Sequence, residues 1–255
     1  MYKDLKAKAC LITGSSRGIG AAVARGFGSV GVRVAVHYHS AAAEAEAVAA
    51  AIRDGKGEAC VLNGDVGKPG TVERLIVETV TAFGRLDILV NNAGDVIRRY
   101  PIAETTDDLF DQHVAINMRS VFEGCRAGVR QMRKQKGGGT IINVSSVAAR
   151  TGGGGGSSLY AGSKAFVATL TRALAKEVAG EGIRVNAVSP GVIDTPMQHR
   201  TTPVEQIDAA LGAIPMKRMG TPEECVGAFL YLASAEQSGY VTGQVVEVNG
   251  GILMP

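Results

Sequence analysis

The chain has 255 residues, 45% of them hydrophobic, with 27 Lys plus Arg against 24 Asp plus Glu, a net charge of +3. That content is ample for a buried core, and basic residues scattered singly or in pairs leave no nucleic-acid or membrane-surface footprint. Cys10, Cys60, Cys125 and Cys225 lie far apart without a C-x-x-C or His pairing, so no metal site is expected and the thiols read as reduced, in a cytoplasmic protein.

The opening MYKDLKAKACLITGSS has too short an apolar run for a signal peptide or a spanning helix. From ACLIT onward, short β-branched runs alternate with helical patterns. A helix near Ala21 to Val30 leads to VRVAVHY, and Ala41 to Arg53 leads to EACVLNGDV. Thr71 to Phe83 precedes LDILVNNAG, and a long helical region from Asn117 to Lys134 precedes TIINVSS. The helix bearing Tyr160, then IRVNAVSP and QVVEVNGG, complete the order. Such alternation predicts right-handed βαβ crossovers and an α/β fold, a doubly wound parallel sheet with helices on both faces. No linker divides the chain, so residues 1–255 read as one domain; the glycine run Gly152 to Gly156 reads as a flexible loop and Pro196 to Pro215 as a lid.

Thr13-Gly14-Ser15-Ser16-Arg17-Gly18-Ile19-Gly20 follows the first strand and opens the first helix. There, glycines let the backbone approach a phosphate whose charge meets amide N–H groups at a helix N-terminus, the Rossmann dinucleotide arrangement. The second strand ends in Val36-His37-Tyr38-His39-Ser40, with no acid to bind a ribose 2′-hydroxyl. Arg17, His39 and Ser40 could instead meet a 2′-phosphate, which favours NADP(H) and leaves NAD(H) possible; the plain alternative is that Arg17 caps the loop in solvent. Asp65-Val66 and Asn91-Asn92-Ala93-Gly94 fall at the ends of the third and fourth strands, where open α/β sheets bind ligands.

Tyr160 and Lys164 stand four residues apart on one helix face, so an ammonium can approach a phenol and favour its ionised form. A phenol tuned in this way serves as general acid or base, with Ser145 or Ser146 placed to hold a substrate oxygen. Taken alone, a Tyr and Lys at this spacing are more often an exposed amphipathic pair.

TGSSRGIG, DV, NNAG, Asn117, Ser146, YAGSK and SPGVIDT together resemble the short-chain dehydrogenase/reductase family over nearly the whole chain. The resemblance implies hydride transfer between nicotinamide C4 and a carbonyl or secondary alcohol. Tyr160 would be the acid or base, Lys164 would lower its pKa and bind the nicotinamide ribose, and Ser146 would hold the substrate oxygen. Ser146 is preferred to Ser145 because Val147 follows it. Asn117 would anchor a water that relays protons to Lys164. Gly14, Ser16, Ile19, Gly20, Asp65, Val66, Asn92, Ala93, Gly94, Pro190, Gly191, Ile193 and Thr195 would line the dinucleotide.

Substrate contacts are expected from Asp95 to Arg99, from the Gly152 to Ser158 loop and from Met197 to Ile214. Arg98 and Arg99 could attract an anionic or polyol substrate, against the plainer reading of a solvated pair. A free ketone, sugar or polyol is the first reading, and 3-oxoacyl carrier-protein reduction the alternative. In that alternative, basic residues dock the acidic carrier where this chain has Gly137 and Glu181, with Lys134 and Lys136 nearby. A nucleotide-binding regulator that had lost its chemistry is a remote alternative, because all four catalytic positions are filled. By the same resemblance, helices near Met118 to Lys134 and Ser158 to Ala179 imply a homotetramer, and the apolar end Gly250 to Pro255 is expected to bury against a partner subunit.

Overall fold

A computed structural model describes residues 2–135 and 137–254; Met1, Lys136 and Pro255 lie outside the described residues. The chain runs β1 (Ala9–Ile12), α1 (Gly18–Ser29), β2 (Arg33–Tyr38), α2 (Ala42–Asp54), β3 (Ala59–Asn63), α3 (Thr71–Phe83) and β4 (Ile88–Asn91). Next come α4 (Asp107–His113), α5 (Ser120–Lys134), β5 (Gly139–Val144), the single turn α6 (Ala148–Thr151), α7 (Ser158–Val178) and β6 (Ile183–Pro190). The chain ends with α8 (Pro196–Thr201), α9 (Val204–Ala213), α10 (Pro222–Ala233), α11 (Ala235–Ser238) and β7 (Val245–Val248).

The strands form one parallel seven-stranded sheet in the order β3-β2-β1-β4-β5-β6-β7. Period-two alternation along each strand builds a core on both faces. Cys10, Ile12, Val34, Val36, Ile88 and Val90 pack under α1, α2 and α10, around Phe27 and Phe229. Ala9, Leu11, Ala35 and Leu89 face the other way, under α3, α5 and α7, around Leu75, Met132 and Val178. Ile12 stands opposite both Val36 and Val90, so the strands bearing the phosphate loop, His37 and the Asn91-Asn92 turn end at one level.

Three local features differ from the sequence expectation. The helix expected from Asn117 begins ten residues earlier at Asp107, where the Thr106 hydroxyl accepts from Leu109 N–H at 3.2 Å, and a wide π-helical turn, Val114–Arg119, joins it to α5. The unanticipated α10 starts on a capping box, Thr221 with Glu224, and carries Pro222 in its first turn. The expected lid is two short helices, α8 and α9, in which no side chain is fully buried. At the C-terminus Met254 is 80% exposed in the isolated chain.

Candidate active site

A cleft of about 420 Å³ opens at the carboxyl ends of the strands, where the chain winds outward on either side of β1 and β4. Each dinucleotide residue expected from the sequence lines it, with Ser146, Tyr160 and Lys164. Asn117 is fully buried behind the wall.

At one end the phosphate loop and the Asn91-Asn92 turn are hydrogen-bonded into a unit. Asn92 Nδ2 donates to the carbonyls of Thr13 and Gly14 at 2.8 and 2.9 Å, and Thr13 Oγ1 accepts from the amides of Asn92 and Ala93 at 3.0 Å each. Gly14 has φ +65°, and a Cβ on Gly20 would collide with the Gly14 carbonyl. The first intrahelical bond of α1 is Ala21 N–H to Arg17 O, so the preceding helical amides point outward unpaired. Neither an acidic residue in the first turn nor a side-chain cap competes for them. This cradle fits a pyrophosphate.

His37, which the sequence reading passed over, holds this loop from beneath. It is 1% exposed. Its Nδ1 accepts from Gly14 N–H at 2.8 Å, its Nε2 lies 3.0 Å from the Gly64 carbonyl, and its backbone exchanges hydrogen bonds with Ser15. That network requires a neutral ring with its proton on Nε2. Burial pushes its pKa down from 6.5 to about 4.

His39 and Ser40 are exposed at the rim. Arg17 is neither free nor merely a loop cap, since its Nε donates to Glu44 Oε1 at 3.0 Å from the first turn of α2. Asp65 folds its carboxylate back on the Gly67 amide at 2.9 Å.

At the other end, α7 runs beside β5 and brings Tyr160 and Lys164 against Ser146. The Ser145 hydroxyl is spent on the Lys164 backbone carbonyl at 2.9 Å, whereas the Ser146 hydroxyl accepts from Ala148 N–H at 3.2 Å and lines the cleft with Tyr160. Lys164, 2% exposed, donates to the Val144 carbonyl at 2.8 Å and sits 5.6 Å from the centroid of the Tyr160 ring. A Cβ on Gly94 would stand 2.9 Å from Asn117 Oδ1 and 3.0 Å from Lys164 Nζ, so glycine there keeps Asn117 and Lys164 together.

The Lys164 ammonium lies over the Tyr160 ring and is bonded to a carbonyl, and burial outweighs the charges around the phenol. Burial pushes Tyr160 up to about 12, while the Ser146 hydrogen bond and the Arg99 charge pull down and the Asp95 charge pushes up. Burial lowers Lys164 to about 8.

Arg99 also departs from both expected readings. Its guanidinium clasps Thr201 O at 2.7 Å, Thr202 Oγ1 at 3.0 Å and Gly155 O at 3.3 Å, tying the end of α8 to the glycine loop. Asp95 grips Arg200 of α8 at 2.7 and 2.8 Å, and this ion pair lines the cleft. Arg98 is exposed and bonds the Tyr100 hydroxyl at 2.9 Å. Among the described residues no His, Cys, Asp and Glu cluster could hold a metal, and no helix is long and apolar enough to cross a membrane.

Residues 14–253 match the family described as Enoyl-(Acyl carrier protein) reductase. The chain is 38% identical over its full length to 3beta-hydroxysteroid dehydrogenase 1 of Eggerthella lenta, covering 97% of that protein. The chain belongs to the short-chain dehydrogenase/reductase family.

Another relative, the 3-oxoacyl-acyl-carrier-protein reductase of Thermotoga maritima, is 39% identical across 98% of the chain and 99% of its own length. Among solved structures, NADH-dependent reductase A1-R′ complexed with NAD superposes with a TM-score of 0.89 at 34% identity, both chains covered completely. A short-chain dehydrogenase from Burkholderia cenocepacia in complex with NADP superposes at 0.90 with 33% identity, covering 97% of this chain and 98% of that one. As a short-chain dehydrogenase/reductase the protein is an NAD(P)-dependent oxidoreductase acting on CH–OH or C=O groups. A bound nicotinamide dinucleotide supplies the hydride donor or acceptor.

Proposed function

We propose that the protein is a cytoplasmic, homotetrameric, NADP(H)-preferring reductase or dehydrogenase of a small free carbonyl compound or alcohol, a ketone, sugar or polyol. The observation that carries this reading is the meeting of Ser146, Tyr160 and Lys164 in a cleft whose far end is an anion cradle without an acid at the end of β2. Ser146 holds the substrate oxygen, and Tyr160 gives it a proton in reduction or takes one in oxidation. Lys164 presents its ammonium to the nicotinamide ribose, and Asn117 keeps the water that passes protons to Lys164. Pro190, Gly191, Ile193 and Thr195 bound the nicotinamide side, while Asp65 and Val66 bound the adenine side.

The carrier-protein alternative keeps a relative at 39% identity in its favour. Against it, Glu181 binds Arg133 at 2.6 Å through both carboxylate oxygens, neutralising a cation at the expected docking face. NADPH oxidation against a panel of free ketones, sugars and 3-oxoacyl thioesters, with and without carrier protein, separates the two. Turnover confined to carrier-bound thioesters overturns the free-substrate reading.

The cofactor preference turns on Arg17. An exposed ion pair is weak, so a 2′-phosphate can draw Arg17 from Glu44. Charge-assisted hydrogen bonds contribute ~1.5–3 kcal/mol, so Arg17→Ala is expected to lower the NADPH-to-NADH ratio of kcat/KM by roughly 10- to 100-fold. Glu44→Gln raises the ratio by removing both the competitor and a negative charge beside the site. A wild-type ratio below one, or Arg17→Ala without effect on it, sinks the preference.

The Asp95–Arg200 pair bridges loop and lid over the substrate end of the cleft. Arg200→Ala is expected to raise the substrate KM about tenfold while leaving the cofactor dissociation constant unchanged.

A further inference from the structure

His113 is a buried titratable side chain, 3% exposed, that none of the roles above employs. It ends α4 at the edge of the π-helical turn, and its Nδ1 lies 3.2 Å from Asn117 Nδ2. The orientation of that amide is fixed by backbone groups of known polarity. Asn117 Oδ1 accepts from Asp95 N–H at 2.9 Å, and Nδ2 donates to Asp95 O at 2.8 Å. An amide nitrogen only donates, so His113 Nδ1 accepts, leaving the ring neutral with its proton on Nε2. Burial holds the ring below the usual histidine range, in keeping with that form.

Asn117 therefore uses both amide hydrogens, one on Asp95 and one on His113, and its Oδ1 faces the point where Gly94 leaves room for Lys164. We propose that His113 is a positioning residue for the reaction, an acceptor that locks the Asn117 side chain and the π-helical turn around it in the register that serves Lys164. This inference rests on the proton-relay role given to Asn117 above. With an apolar residue at 113, the second amide hydrogen faces a buried wall without a partner, and the side chain is held by Asp95 alone. The phosphate cradle at the far end of the cleft is left in place.

Two variants separate positioning from bulk. His113→Leu removes the acceptor and keeps an apolar filling, whereas His113→Asn returns an oxygen near the Nδ1 position. His113→Leu is expected to lower kcat about tenfold, with the NADPH dissociation constant close to wild type and the thermal midpoint lowered by a few degrees, and His113→Asn is expected to recover kcat to within about twofold. Hydrogen exchange supplies a readout that needs no turnover: amides of residues 114–119 should exchange faster in His113→Leu and at the wild-type rate in His113→Asn.

Wild-type kcat and exchange rates in His113→Leu, or equal losses in both variants, overturn the proposal. A wild-type protein inactive on every carbonyl of the panel overturns the functional reading instead, and the exchange comparison still decides whether His113 holds the turn.

Discussion

Tyr160→Phe is expected to cost about 10²–10⁴-fold in kcat while leaving the NADPH dissociation constant within a factor of two, measured by steady-state kinetics and by NADPH fluorescence titration. The ring, its packing and its contact with Lys164 survive the change, and only the transferable proton is lost. Burial pushes the phenol up to about 12, so it is protonated at neutral pH, the form that donates to a carbonyl oxygen. The Ser146 hydrogen bond and the Arg99 charge pull the other way and ease deprotonation in the reverse direction. Ser146→Ala should lose less than Tyr160→Phe, because removing a neutral hydrogen-bond partner leaves the acid in place. If Tyr160→Phe kept more than a tenth of the wild-type kcat, the proton would have to come from elsewhere.

The second large effect concerns stability. His37 is held neutral by Gly14 N–H on one ring nitrogen and the Gly64 carbonyl near the other. Burial is the largest cause of its lowered pKa; the His39 and Arg74 charges add to it, while the Gly64 carbonyl and Asp65 oppose it. The unfolded chain takes up the proton near pH 6.5, whereas the folded chain resists until about pH 4. The stabilisation is therefore complete above pH 6.5 and is lost as pH falls toward 4, amounting to about 3 kcal/mol. Urea unfolding of wild type and His37→Asn between pH 7 and pH 4 tests this, since carboxylate titrations common to both proteins cancel in the difference. Wild type should lose about 3 kcal/mol more than the variant over that interval, and parallel pH profiles would contradict the assignment.

What was legible in the sequence follows from the range of the forces involved. Strand and helix patterns from β1 to α3 emerge from local alternation and glycine placement, and the two coupled turns TGSSRGIG and NNAG carry their chemistry in short motifs. α10 was legible in principle through its capping box, Thr221-Pro222-Glu223-Glu224, but its apolar face blends into the lid region before it. The π-helical turn leaves no periodic trace, because one inserted residue shifts the pattern by less than the scatter of ordinary helices. Arg17 with Glu44, Asp95 with Arg200 and Arg99 with Thr201 join residues 27 to 105 positions apart. Such pairs are invisible to any window, so Arg99 read as a solvated or substrate-seeking charge rather than as a clasp. The raised Tyr160 pKa likewise follows from burial in the folded chain, which no window reveals.

Asp95 and Arg99 lie within five residues of one another, and between them they hold Arg200, Thr201 and Thr202 at the end of α8. The stretch that borders the cleft is thus also what fastens the segment 200–202 in place. A change of substrate by exchanging loops among relatives would have to carry residues 95–99 and 196–202 across together. Moving either alone would leave Asp95, Arg99 or Arg200 without its partner across the cleft, and evolution of specificity in this scaffold is constrained to paired steps.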